Sequence, residues 1–267
     1  MLLSAQQKED DTMTQAKKRI YLINYLLSER GEKADVPQDE YSQRRLLRSL
    51  FNVRMPAPVS EDFLRVQDEY LQEEAARKGI TDIADLEPVQ KGIYLWQGDI
   101  TTLKCDAIVN AANSQMLGCF NPCHGCIDNA IHTYAGIQLR NACYELMTAQ
   151  GHEEPTGQAK ITPAYNLPCK CVIHTVGPIV GGRLTDEHRE LLKSCYLSCL
   201  NEAVKNGLNS IAFCCISTGE FRFPNDIAAQ IAVDTVKEYQ KEHEIKVIFN
   251  VFKDHDYELY RELLSAD

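Results

Sequence analysis

Four side chains able to bind soft or borderline metal ions fall within eight residues: Cys119, Cys123, His124 and Cys126. Thiolates and imidazole are natural zinc donors. Three protein ligands with one open position describe a catalytic site, whereas four describe a closed structural one. Cys123 and His124 are adjacent in the chain, which hinders their convergence on one ion, so Cys119, His124 and Cys126 are the expected Zn2+ ligands. A four-ligand structural site that includes Cys123 is the alternative. The cysteine count of 11 is odd, and no basic segment followed by an apolar run opens the sequence, as a secretory signal would. A cytoplasmic location is therefore expected, where clustered cysteines read as metal-binding or catalytic rather than as disulfides. Cys169, Cys171, Cys195, Cys199, Cys214 and Cys215 lie in or beside expected strands and helices and read as buried apolar thiols.

Three further segments carry polar groups at the ends of apolar runs. In Gln97-Gly98-Asp99-Ile100-Thr101 a carboxylate at a strand end can accept from an amine such as the adenine N6 group, or only from its own turn. In Val109-Asn110-Ala111-Ala112-Asn113 one amide can hold a loop while the other reaches ribose hydroxyls. The segment from Cys214 through Ser217, Thr218, Gly219, Glu220 and Phe221 to Pro224 runs from a strand into a helix. Its backbone N–H groups can wrap a diphosphate, and the helix start adds favourable partial charge. It lacks the Gly-Lys-Ser/Thr ending of a Walker loop, which argues against a nucleotide triphosphatase.

The elements that must position these groups fall into two parts. Residues 1–90 form a helical extension: apolar residues recur at helical spacing over 16–30, a second helix runs over 39–53, and Met55-Pro56-Ala57-Pro58 separates it from a third that begins at Ser60. Residues 91–267 change to short apolar runs alternating with helices. Strands are expected at 93–97, 107–109, 171–175, 211–216 and 246–252, and helices at 127–150, 187–206, 225–242 and 256–264. Such alternation favours a three-layer α/β/α sandwich around a mostly parallel or mixed sheet, with ligands outside the carboxyl ends of the strands. The formal net charge of -10 argues against a general nucleic-acid binder. No run of about 18 apolar residues is present to suggest a membrane span.

Together and in this order, the three segments resemble the macrodomain family, and the likeness continues through Ile161-Thr162-Pro163-Ala164-Tyr165-Asn166 and Val172-Ile173-His174-Thr175-Val176-Gly177-Pro178. The resemblance implies a macrodomain that binds ADP-ribose. Asp99 and Ile100 would contact adenine, Asn113 and Asp128 would face the distal ribose, Ser217, Thr218, Gly219, Glu220 and Phe221 would form the diphosphate loop, and Phe252 would pack near the adenine. The Cys/His loop and the helical extension resemble the zinc-containing bacterial macrodomains. That group implies a mono-ADP-ribosyl hydrolase acting on a modified protein side chain, an acidic-residue ester, with Asn113 and Asp128 as catalytic residues. It also implies a lipoyl-carrier protein as a partner and a sirtuin-type transferase acting alongside. A non-catalytic ADP-ribose reader with a structural zinc loop, and a hydrolase of O-acetyl-ADP-ribose, are the alternatives. His132, one turn beyond Asp128, reads as a packed or helix-surface histidine.

Overall fold

The computed structural model describes residues 13–33 and 35–265. The first twelve residues of the expected extension and the last two of the domain lie outside the described residues. Three helices open the chain: α1 (Gln15–Glu29), α2 (Glu40–Val53) and α3 (Glu61–Lys78). Each begins on a side chain that accepts from a first-turn N–H: Thr14, Asp39 and Ser60. Their apolar stripes meet in a core of their own, where Leu22, Ile23, Leu47, Phe51 and Phe63 are buried together. This small core also takes in Ile137 from the domain that follows, so the extension is packed onto that domain.

The strands are β1 (Thr81–Asp82), β2 (Ile93–Gln97), β3 (Leu103–Lys104), β4 (Ala107–Ala112), β5 (Ala159–Pro163), β6 (Cys171–Val176), β7 (Ser210–Phe213) and β8 (Lys246–Val251). Apart from a short β1–β3 pair, they form one sheet in the order β2-β8-β7-β4-β6-β5. All neighbours are parallel except β5 and β6, which makes the sheet mixed, as expected. Five helices complete the domain: α4 (Ile127–Ala135), α5 (Ile137–Gln150), α6 (Asp186–Lys205), α7 (Asn225–Tyr239) and α8 (Asp254–Ser265).

Side-chain alternation on β6 sorts the helices into two layers. His174 meets Cys143 of α5, while the next residue, Thr175, lies beside Cys195 and Cys199 of α6. α4 and α5 therefore cover one face and α6 the other. Ile108, Val172, Ile211 and Val247, all fully buried, fill the domain's core.

Two expectations are corrected. The single helix expected over 127–150 is two, broken at Gly136, whose φ of 91° suits glycine alone. A Cβ there would stand 2.7 Å from Gln67 Nε2, and the Ile137 N–H that opens α5 donates to Gln67 Oε1 at 3.0 Å. A contact from α3 thus overrides the local helical preference. Strand β5 was not expected. It carries Lys160 and Thr162 and ends in Pro163, a pattern that only an edge strand tolerates.

Candidate active site at the carboxyl ends of the strands

The expected ligand-binding segments follow β2, β4, β7 and β8, so parallel pairing brings them to one edge of the sheet. β4 keeps its full ladder with β6 but pairs with β7 only at Ala107 and Ile108. Beyond that point the seam between the two strands carries no further ladder pair, β7 ending at Phe213 while β4 runs on to Ala112. The chain turns to β6 and β5 on one side of this seam and to β7 and β8 on the other, a switch point of the kind where open α/β sheets bind ligands.

At the β2 end, Asp99 caps a short 3-10 turn by accepting from Thr101 N at 3.0 Å and Thr101 Oγ1 at 2.6 Å. Its other oxygen accepts from Lys78 Nζ of α3 at 2.8 Å. Burial pushes the Asp99 carboxyl up, but the Lys78 and Thr101 bonds outweigh it and hold the group below its ordinary value. Lys78 Nζ also sits 3.3 Å from the centre of the Tyr134 ring. Ile100 is buried beside Asp99, whereas Phe252 at the neighbouring end of β8 is 76% exposed, an aromatic face free to stack.

The loop after β7 is folded on itself: Phe223 N donates to Ser217 O and Arg222 N to Gly219 O, both at 3.0 Å. Ser217 and Arg222 hold φ of 65° and 58°, a left-handed conformation that costs non-glycine residues of order 1–3 kcal/mol. The N–H groups of Gly219, Glu220 and Phe221 make no hydrogen bond among the described residues, and the absent Cβ of Gly219 faces open space. Such a set of free donors on an exposed turn suits an anion.

Across the seam, Asn113 braces the loop it opens. Its Oδ1 accepts from Gln115 N and Met116 N, each at 3.1 Å, and its Nδ2 donates to Gly118 O at 3.1 Å and, more weakly, to Asp128 Oδ2 at 3.4 Å. Asp128, in the first turn of α4, is buried and accepts from Asn110 Nδ2 at 2.8 Å. Burial pushes its carboxyl up to about 6. Asn110, quoted in the sequence as one of two alternative amides, is thus the interior one that orients Asp128.

The loop brings together Cys119, His124 and Cys126, whose ligand atoms all lie within 4.8 Å of one another and are partly exposed. Cys119 Sγ is 3.7 Å from His124 Nδ1, close to the separation of about 3.6 Å that a tetrahedral zinc imposes on a thiolate and an imidazole. Cys126 doubles as the cap of α4, accepting from Asn129 N at 3.4 Å. Burial pushes its thiol up to about 12, so an uncompensated thiolate there is disfavoured and a nearby cation would relieve it. The outer nitrogen of His124, Nε2, faces Glu220 Oε1 at 3.5 Å. A carboxylate from the loop after β7 therefore stands where the outer partner of a metal-bound histidine usually does. Cys123 points elsewhere: its Sγ donates to Arg45 O of α2 at 3.3 Å.

Residues of the extension and of α5 that sequence reasoning passed over hold this loop. Arg48 of α2 donates to His124 O at 2.9 Å and to Asn129 Oδ1 at 2.7 Å. Asn52 accepts from Cys123 N at 2.8 Å. Arg140 of α5 donates to Leu117 O at 2.7 Å and to Phe51 O at 2.9 Å, while its guanidinium lies 4.4 Å from the Phe120 ring centre. Their only signal in sequence was charge or polarity on an otherwise amphipathic helix.

Comparison with known proteins agrees with this geometry. The Macro domain family model matches residues 109–232, which span the seam, the Cys/His loop and the loop after β7. A protein-ADP-ribose hydrolase of Treponema medium is 58% identical over 261 residues, 95% of this chain and 100% of the relative. The chain belongs to the macrodomain family. A second relative of this macrodomain, the protein-ADP-ribose hydrolase of Staphylococcus aureus (strain MSSA476), is 50% identical over 96% of this chain and 99% of its own. Among solved structures, the Oceanobacillus iheyensis macrodomain with ADP is 36% identical with a TM-score of 0.61, covering 67% of this chain and 94% of that one. The Trypanosoma brucei macrodomain in complex with ADP-ribose is 32% identical with a TM-score of 0.63, covering 81% and 94%.

Proposed function

We propose that this macrodomain is a zinc-dependent mono-ADP-ribosyl hydrolase that frees ADP-ribose from a modified protein side chain, an acidic-residue ester. The class of activity, protein-ADP-ribose hydrolysis, is that of relatives 50–58% identical over nearly their whole length, and the chain is an enzyme of that class. The zinc requirement, the linkage and the residue roles are our reading. The observation that carries it is the Cys119, His124 and Cys126 triplet in the loop between Asn113 and Asp128.

In this reading Asp99, Ile100 and Phe252 take the adenine, with Lys78 yielding one oxygen of Asp99 to the base. The loop from Ser217 to Phe221 holds the diphosphate through the free N–H groups of Gly219, Glu220 and Phe221, at a position fixed by its own fold. Asn113 keeps the distal ribose against the Cys/His loop, and Asp128, held by Asn110, orients or deprotonates the attacking water. A metal ion held by the triplet would supply Lewis acidity at the scissile linkage or to that water. Glu220 fixes the His124 ring through Nε2, leaving Nδ1 turned to the thiols. We place the extension at 1–90 and the macrodomain at 91–267. All eleven cysteines are free, which supports a reducing compartment such as the cytoplasm. No helix among the described residues is long and apolar enough to cross a membrane. The resemblance to the zinc group adds a lipoyl-carrier protein as the modified partner to test first.

The experiment is incubation of metal-loaded protein with a mono-ADP-ribosylated protein, scored for free ADP-ribose. Cys119→Ala, or chelation, is expected to abolish release while ADP-ribose binding stays within a few-fold. Unchanged turnover by metal-free protein ends the zinc claim, and tight binding without release by the loaded wild type makes the protein a reader.

A further inference from the structure

A second Cys/His triplet lies behind the cleft, in the interior. His132 of α4, Cys143 of α5 and His174 of β6 are all buried, and their ligand atoms lie within 4.8 Å of one another. Cys143 Sγ stands 3.8 Å from His174 Nε2, near the separation of about 3.6 Å expected across a tetrahedral zinc. Three elements of regular structure supply one ligand each, so the spacing is set by the packing of two helices on a sheet.

Ordinary core histidines satisfy their ring nitrogens, and His174 does so through Asn110 Nδ2 at 3.1 Å and Thr162 Oγ1 at 2.9 Å. His132 does not. Both of its ring nitrogens are buried without a hydrogen bond, although the residue is only 5% exposed. Leaving such groups unpaired costs about 1–3 kcal/mol each. The adjoining cavity between His132, Arg140 and Phe51 measures about 10 Å³, room for at most one water, so it can serve only one of the two nitrogens. Apart from a 3.5 Å approach of Nε2 to Asp128 Oδ1, the other makes no hydrogen bond unless an ion fills the triplet.

We propose that His132, Cys143 and His174 form a second, buried site for a zinc ion, distinct from the Cys119, His124 and Cys126 triplet. Two neutral imidazoles and one thiolate suit zinc. Asp128 Oδ1, 3.5 Å from His132 Nε2, adds a second negative charge beside the triplet, facing the buried Arg140 guanidinium that acts on both Asp128 and Cys143. Binding releases the Cys143 thiol proton and moves the His174 proton from Nε2 to Nδ1. Asn110 Nδ2, which contacts Nδ1 at 3.1 Å, then turns wholly to Asp128 Oδ1, to which it donates at 2.8 Å. An ion here would tie α4 and α5 to the central sheet beneath the cleft, a structural role.

The test is metal counting on the full chain, loaded with zinc and freed of excess, by elemental analysis and native mass spectrometry. Two zinc ions per wild-type chain are expected, one in Cys119→Ser/Cys126→Ser, and none when Cys143→Ser is added. Cobalt loading should leave a thiolate-to-metal absorption band in the double variant that the triple variant lacks. Cys143→Ser alone should keep the cleft ion, and its circular dichroism checks that it folds. The wild-type and double-variant counts do not depend on that check. One zinc in the wild type with none in the double variant overturns the proposal, as does a band in the triple variant equal to that in the double. A double variant that keeps its zinc but also keeps full turnover would instead count against the catalytic role of the cleft triplet.

Discussion

The two Cys/His triplets of this macrodomain are built from the same donor types and differ in what holds them. Cys119, His124 and Cys126 come from one eight-residue stretch of loop, are partly exposed, and are steadied from outside by Arg48, Asn52 and Glu220. His132, Cys143 and His174 come from two helices and a strand, are buried, and need no bracing beyond the core. A site on a braced loop at a cleft can meet substrate. A site within the packed layers can only support them. The difference teaches that donor identity alone does not separate a chemical centre from a structural one; exposure and the origin of each ligand do.

If the contrast holds, changes in the two sets should move different quantities. His174→Ala removes two buried hydrogen bonds and leaves a cavity, and should cost about 2–4 kcal/mol of folding stability. Denaturant melts should register this while metal bound at Cys119 and Cys126 is retained; loss of that metal without a loss of stability would break the distinction. Glu220→Gln should behave in the opposite way. It weakens the partner of His124 Nε2 and should lower turnover or metal retention by about 10-fold, with stability within about 0.5 kcal/mol because Glu220 is a surface residue. A stability loss with unaltered turnover would make Glu220 a structural residue. Cys123→Ser is the smallest case. Its thiol serves Arg45 O rather than the triplet, so the variant should keep wild-type zinc content and melting behaviour to within about 0.5 kcal/mol. A lost zinc ion would restore Cys123 as a ligand.

The legibility of these features in the sequence follows from how local their causes are. The strands β2 and β4, the helix starts near Asp39 and Ser60 and the crowding of Cys119, His124 and Cys126 are written in consecutive residues, so periodicity and spacing expose them. The break at Gly136 depends on Gln67, about seventy positions away, and β5 gains its identity only by lying at the sheet edge. His174 lay within a quoted segment and His132 was weighed as a packed histidine, but nothing in either neighbourhood pointed to Cys143. Lys78, Arg48 and Arg140 act on the cleft from helices whose patterns described only amphipathic packing. Contacts that cross from extension to domain leave no periodic trace in either.

The early end of the ladder between β4 and β7 gives the sheet an edge in its middle. Exposed edges at the rim of a sheet invite a second chain to add a strand. Here the two strands lie between other strands and under helices, where no further strand can enter. A ligand seated there, as proposed, would lie where those rungs are missing. It would bridge the two halves of the sheet as a rivet does, so its occupancy should stiffen the domain as well as feed its chemistry.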